Sequence, residues 1–326
     1  MTWIWTLMKS NAAGTLKTDK LKRIMSTYKE TYIKGCDILK AAGITEYELD
    51  ARLLLEHIMG TDRNTLLAHP EMEVSEDNED LYIRMVERRK THIPLQHITG
   101  TQDFMGLTFK VSDKVLVPRQ DTECLVEEVM TYAEDGMRVL DMCTGSGCIL
   151  LSLMHYRFLD GFGCDYSEDA LAVAKENARM LETEPRPIFL KSDMFSALGG
   201  AGIHETESDG SAASAKPLRD FTGYFDIIVS NPPYIRSDVI PTLMDEVRHH
   251  DPMMALDGGV DGLDFYRIIA EQAPKYLTNY GRIFLEIGYD QGEAVSKLLM
   301  AVGFTDVAVK NDYSGNPRVV IGTFHR

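Results

Sequence analysis

From residue 121 onward the chain alternates between short apolar runs fit for strands and amphipathic runs fit for helices, and this alternation constrains the fold more than any other feature. The strand-like runs are RVLDM (138–142), GFGCDY (161–166), PIFLKSD (187–193), FDIIVSN (225–231) and GRIFLEIG (281–288). Strands separated by helical segments pair in parallel through crossovers. The expected fold class is therefore α/β, a mostly parallel, doubly wound sheet with helices on its faces. Two closing runs, DVAVKN and RVVIGTF, flank DYSGNP and read as a terminal hairpin.

Upstream the period changes. Residues 26–93 repeat apolar positions at three and four, as in CDILKAAGITEYELDARLLLEHIMG, where Gly43 and Gly60 read as helix stops and Thr45 with Glu48 as a capping box. A small helical domain is expected there, suited to docking a substrate. Residues 1–25 read as a loose extension, with Met25 a possible alternative start. Residues 94–120 alternate in the manner of strands around Gly106 and read as a β-hairpin linker into a domain at 121–326. Residues 199–218 hold 11 Gly, Ala or Ser in 20 and read as a flexible insertion.

The net charge of −16 is unevenly spread. Residues 1–93 carry 14 Lys+Arg against 15 Asp+Glu, whereas residues 94–326 carry 20 against 35. A partner rich in phosphates calls for a basic field, so this balance argues against direct nucleic-acid binding. The five cysteines are scattered and form no C-x-x-C pair, which suggests free thiols and a cytoplasmic setting. The apolar opening MTWIWTLM is too short to span a membrane, so no membrane partner is expected, and a monomer is.

A glycine loop, Cys143-Thr144-Gly145-Ser146-Gly147, follows the first strand and precedes an apolar helix. In a doubly wound sheet such a loop sits at the carboxyl ends of the strands, where a ligand can approach the backbone. Asp165 ends the second strand, placed to accept from two ribose hydroxyls, although an aspartate there can also serve as a helix cap. Asp193 ends the third, beside Met194, placed to accept from an adenine amino group. The third glycine of a dinucleotide site is missing and no Walker lysine follows the loop. An adenosine ligand without phosphate, S-adenosylmethionine, fits better.

The motifs DMCTGSG, CDYSEDAL, SDMF and NPPY occur together with MGLTFKVSDKVLVPRQDTE before them and DGGVDGLDFYR and LEIGYDQ after. Over residues 30–326 this set resembles the HemK/PrmC release factor glutamine methyltransferases. The resemblance implies a class I (Rossmann-like) methyltransferase fold behind a helical domain. It also implies methylation of the side-chain amide nitrogen of the GGQ glutamine in class 1 peptide chain release factors. Carried to this chain, it puts Cys143 to Gly147, Asp165 and Met194 on the cofactor and Asn231, Pro232, Pro233 and Tyr234 on the substrate glutamine. Cys143 departs from the family pattern, in which glycine is frequent at that place.

The strand IIVSNPPY makes physical sense in that light. Prolines 232 and 233 stop the strand and leave the Asn231 side chain and the Pro232 carbonyl at its tip. These two acceptors can hold both N–H groups of a primary amide, fixing its nitrogen in line with a sulfonium methyl, while Tyr234 stacks on the amide plane. Arg119 and Glu123, in VPRQDTE, are candidates to touch cofactor or substrate, and Phe104 to wall the glutamine pocket. His249-His250-Asp251 imitates a metal cluster, but adjacent histidines on a helix point apart, and no metal is expected. Alternatives at this point are a methyltransferase acting on a ribosomal-protein glutamine, one acting on adenine N6 in nucleic acid, and a non-enzymatic cofactor-binding scaffold.

Overall fold

A computed structural model describes residues 25–199 and 220–326. The expected extension, apart from Met25, and the insertion, apart from Gly199, lie outside the described residues. The chain divides into two compact units, the first ending at Glu87 and the second running from Arg88 to Arg326. The division thus falls short of residue 93.

Helices α1 (Tyr28–Ala41), α2 (Tyr47–Met59), α3 (Arg63–Ala68) and α4 (Glu76–Lys90) come first. Helix α1 begins with a capping box in which the Thr27 hydroxyl accepts from the Glu30 N–H and the Glu30 carboxylate accepts from the Thr27 N–H. The box expected at Thr45 and Glu48 does not form. Helix α2 starts one residue later than that spacing requires, with Glu46 as its cap, so Thr45 lies outside the capping position. Gly60 closes α2 in the left-handed region as expected. Leu39, Leu54, Leu55, Val86 and Tyr82 are buried, and the Tyr82 hydroxyl donates to the Ala51 carbonyl at 3.1 Å.

After the last residues of α4, the second unit has a short helix α5 (Leu95–Thr99) that the strand-like reading of 94–120 did not anticipate. The hairpin itself is β1 (Thr101–Phe104) and β2 (Leu107–Lys110), turning at Met105 and Gly106, both at positive φ. There follow α6 (Gln120–Met130), β3 (Arg138–Met142), α7 (Cys148–Tyr156), β4 (Asp160–Asp165), α8 (Glu168–Met180), β5 (Ile188–Lys191) and β6 (Phe225–Ser230). The remainder is α9 (Asp245–His250), α10 (Met253–Leu256), α11 (Asp264–Tyr276), β7 (Leu277–Glu286), α12 (Gly292–Ala301), β8 (Phe304–Asn311) and β9 (Pro317–Phe324).

The sheet order is β5-β4-β3-β6-β7-β9-β8. Strands β5 to β7 run parallel, while β9 pairs antiparallel with both β7 and β8. Alternate residues along each central strand serve opposite faces. Leu140, Met142, Ile228, Ile283 and Leu285 join a core with α11 and α12. Val139, Ile227, Val229 and Phe284 join a second core with α6 and α7. The chain leaves β3 in one direction through β4 and β5 and returns on its other side as β6. The crevice at the carboxyl ends of β3 and β6 is therefore the topological switch point, where such sheets hold ligands.

One buried side chain ties the hairpin to that crevice. Asn177 of α8 donates from Nδ2 to the carbonyls of Lys110 (3.0 Å) and Ser146 (2.9 Å), and its Oδ1 accepts from the Lys110 N–H at 2.7 Å. Replacement by leucine leaves three backbone groups without this partner, the Ser146 carbonyl among them in a buried position. Asn177→Leu is expected to lower unfolding free energy by about 2–4 kcal/mol in urea titration. A loss within about 0.5 kcal/mol, the range of ordinary surface substitutions, would contradict this anchoring role.

Candidate functional site

The register between β3 and β6 builds the site. Met142 pairs with Ser230, so Cys143 and Asn231 are the first residues to leave the sheet on either side of one strand boundary. The Ser230 hydroxyl donates to the Met142 carbonyl at 2.6 Å and pins the two strand ends together. A single cavity opens there, lined by Cys143, Thr144, Gly145, Ser146, Asp165, Asp193, Met194, Asn231, Pro233 and Arg119 from the expected set.

The loop is shaped from below and from the side. Asp141 is fully buried under it and accepts from the Thr144 hydroxyl at 2.6 Å, while its Oδ1 has no hydrogen-bond partner among the described residues. Burial pushes this carboxyl up to about 7. Asp165 accepts from the Gly145 N–H and the Ser167 N–H, both at 2.9 Å, one on each oxygen. Burial still raises its pKa against those bonds. Its alternative role as a helix cap falls to Ser167, whose hydroxyl accepts from the Ala170 N–H. Cys143 holds a left-handed backbone at φ 60°, and burial pushes its thiol well up, away from the thiolate.

The far wall comes from the segment after β6. Pro252, Met254, Ala255 and Phe265 line the cavity. Arg119 donates to Asp251 at 2.6 Å, and the Asp251 side chain is completely covered. Burial raises the Asp251 carboxyl despite that pairing. The aspartate of His249-His250-Asp251 is thus a clasp at the cavity rim. Among the described residues no group of three or more His, Cys, Asp or Glu could hold a metal ion.

Two expected residues face elsewhere. Phe104 is 1% exposed and packs edge-on against Phe109 at 6.1 Å, inside the core shared with α6 and α7, so it does not wall the cavity. Glu123 accepts from the Met105 N–H at 2.6 Å and holds the hairpin turn. Its neighbour Thr122 lines the cavity instead, because consecutive helical residues point about 100° apart. Gly147, Pro232 and Tyr234 adjoin the cavity in sequence but are not among the residues lining it.

The motifs left without a physical role in the sequence acquire one behind the strand tip. A Cβ on Gly258 would come within 2.7 Å of the Tyr234 Cα, and one on Gly262 within 2.4 Å of the Tyr234 carbonyl oxygen. Only glycine permits that approach. Gln291 donates from Nε2 to the carbonyls of Tyr234 (2.9 Å) and Gly262 (3.1 Å), binding the tip to the backing turn. Glu286, at the end of β7, is 2% exposed, and burial raises its carboxyl to about 7 against the pull of Thr122, Arg318 and Asn231. An acid closing the apolar run IFLE was the signal in the sequence for this buried group. No helix among the described residues is long and apolar enough to cross a membrane.

Comparison with known proteins agrees with this architecture. Residues 30–100 match the family described as the PrmC N-terminal domain. The chain is 40% identical over 289 residues to the release factor glutamine methyltransferase of Caulobacter vibrioides, covering 88% of this chain and 92% of that one. It is 37% identical over 295 residues to that of Clostridium botulinum, covering 90% and 97%. In structure, a methyltransferase from Pyrococcus furiosus superposes with a TM-score of 0.50 at 16% identity, over 74% of this chain and 100% of that one, a likeness of fold alone. With a class I methyltransferase sheet and relatives of this identity along nearly its whole length, the chain belongs to the family of release factor glutamine methyltransferases.

Proposed function

We propose that the chain transfers a methyl group from S-adenosylmethionine to the side-chain amide nitrogen of the GGQ glutamine in class 1 peptide chain release factors. One observation carries the reading: the glycine loop and Asn231 leave adjacent parallel strands side by side and face one cavity. Both halves of a methyl transfer thereby have a place within a few ångströms of a single strand boundary.

The donor set suits the cofactor. Asp165 and Asp193 stand on the wall and Asp141 lies beneath it, whereas the two basic residues of the lining are already paired, Arg119 to Asp251 and Lys114 to Asp113. Such a wall favours a ligand that is cationic at sulfur and amine over a phosphate. A Cβ on Gly145 would meet nothing within 4 Å, so the loop backbone is open to close approach. Asp165 keeps acceptor capacity on both oxygens for ribose hydroxyls, and Asp193 with Met194 borders the adenine.

When bound, the cofactor supplies an electrophilic methyl on a positively charged sulfur. Asn231 Oδ1 and the Pro232 carbonyl accept the two N–H groups of the substrate amide. They hold its nitrogen in line and offset the positive charge that grows there during transfer. The nitrogen's proton passes to water once the N–methyl bond has formed, so no strong base is required. The helical unit docks the release factor, and the chain acts as a monomer in the cytosol. The surplus of acid in residues 94–326 supports a protein substrate rather than nucleic acid.

Incubation with labelled S-adenosylmethionine and purified release factor tests this directly. Label is expected on the GGQ protein and not on a GGA variant; equal labelling of both would refute it. Asp165→Ala is expected to weaken cofactor binding by about 1.5–3 kcal/mol, roughly tenfold to a hundredfold, in calorimetry. Unchanged affinity would remove Asp165 from the cofactor site. Asn231→Ala is expected to slow single-turnover methylation by about 10²–10³ with cofactor affinity largely kept, by analogy with the loss of one fixed oxyanion donor. A rate within a few-fold of wild type would reduce the strand tip to a turn.

A further inference from the structure

An asparagine can serve as an acceptor for a substrate amide only if its own amide is turned the right way, because rotation by 180° about χ2 replaces the oxygen with an NH2 group. The surroundings of Asn231 bear on that choice. Its Nδ2 donates to the Thr122 hydroxyl at 3.3 Å. Since Ser230 pairs with Leu285, the next residues along the parallel strands, Asn231 and Glu286, emerge side by side. Glu286 is 2% exposed, and its Oε2 has no hydrogen-bond partner among the described residues. Thr122 thus stands on α6 with Asn231 before it and the Glu286 carboxyl close by. Arg318, which pairs with Asp121 at 2.9 Å and Asp312 at 3.0 Å, and Asp121 itself are the charged groups acting on Glu286.

We propose that Thr122 and Glu286 are positioning residues that fix the direction of the Asn231 side chain, a role that rests on the glutamine-methylating reading of the site. A threonine hydroxyl has one proton and accepts through its lone pairs. With Glu286 ionised and so able only to accept, the hydroxyl gives it that proton, Thr122 is left only able to accept, and the Asn231 atom facing it must be Nδ2. The amide oxygen then faces away from Thr122, toward the amide to be methylated. The reversed rotamer would set Oδ1 against an acceptor oxygen and a carboxylate, which is repulsive in a site this dry. The directionality runs from Asn231 through Thr122 to Glu286. It accounts for an acid at the end of the apolar run IFL.

Three near-isosteric variants of the full chain test the relay. Thr122→Val removes the hydroxyl, Thr122→Ser keeps it, and Glu286→Gln supplies a donor that can reverse it. The first readout is solvent exchange of the Asn231 side-chain NH2 by nuclear magnetic resonance, its signal assigned by its loss in Asn231→Ala. The second is kcat with KM for release factor and for S-adenosylmethionine. In Thr122→Val and Glu286→Gln the NH2 group is expected to exchange at least about tenfold faster. In both, kcat is expected to fall about tenfold to a hundredfold, the scale of a misplaced positioning group, with both KM values within about twofold. Thr122→Ser is expected to recover most of both. Wild-type exchange in Thr122→Val, or faster exchange with wild-type kcat, would overturn the proposal. If the exchange pattern holds but wild-type enzyme labels GGQ and GGA release factor alike, the relay stands and the glutamine reading falls.

Discussion

The register of β3 against β6 is the constraint on which the site depends. Two parallel strands from distant parts of the chain must end level, and the Ser230 hydroxyl on the Met142 carbonyl locks that alignment inside the sheet. A slip of one residue would exchange the two faces of β6, moving Ile228 out of one core and Ile227 and Val229 out of the other. The cores therefore enforce the level ending, and the level ending delivers a glycine loop and an asparagine to the same crevice. Everything beyond the sheet then serves to hold those two tips. Asp141 and Asp165 brace the loop, while Gln291 and the glycine turn at 258–262 brace the chain after Asn231.

This bracing has a thermodynamic cost. Asp141 and Glu286 are buried carboxyls whose pKa values rise to about 7, and each leaves one oxygen without a partner among the described residues. Apolar residues in their places would desolvate more cheaply. Two such groups on either side of the β3–β6 boundary are better understood as functional charge than as stabilising charge, since perturbed acids gather where a site needs them.

The sheet could be read from the chain because each central strand is an apolar run of ordinary length that stops at a distinctive residue: Asp165, the prolines after Asn231, and Gly288 after Glu286. Most of the expected site residues line the cavity, since those strand ends converge at a topological switch point, although much of the lining was not among them. The rest depended on information that spacing does not contain. Thr122 and Glu123 are neighbours in sequence, and only the rotation of α6 decides that the threonine faces the cavity and the glutamate the hairpin. Phe104 suited a pocket wall as well as a core; the edge-on contact with Phe109 decides for the core. The capping motif at Thr45 was defeated by a one-residue shift in the start of α2, and the five-residue α5 was too short to impose a period. Glu286 becomes a neighbour of Asn231 only through the pairing of β6 with β7.

Asn177 gives the glycine loop a dependence that its own residues do not encode. The loop's Ser146 carbonyl and both backbone groups of Lys110 meet on one amide from α8, so three segments far apart in the chain share a single fastening. The shape presented to a ligand is accordingly a distributed property. Grafted between a strand and a helix elsewhere, Cys143 to Gly147 would carry their glycines but not their anchor, and an intact motif would become an unheld turn. Within this chain the same fastening makes hairpin and loop one mechanical piece, and a load applied to either is borne by both.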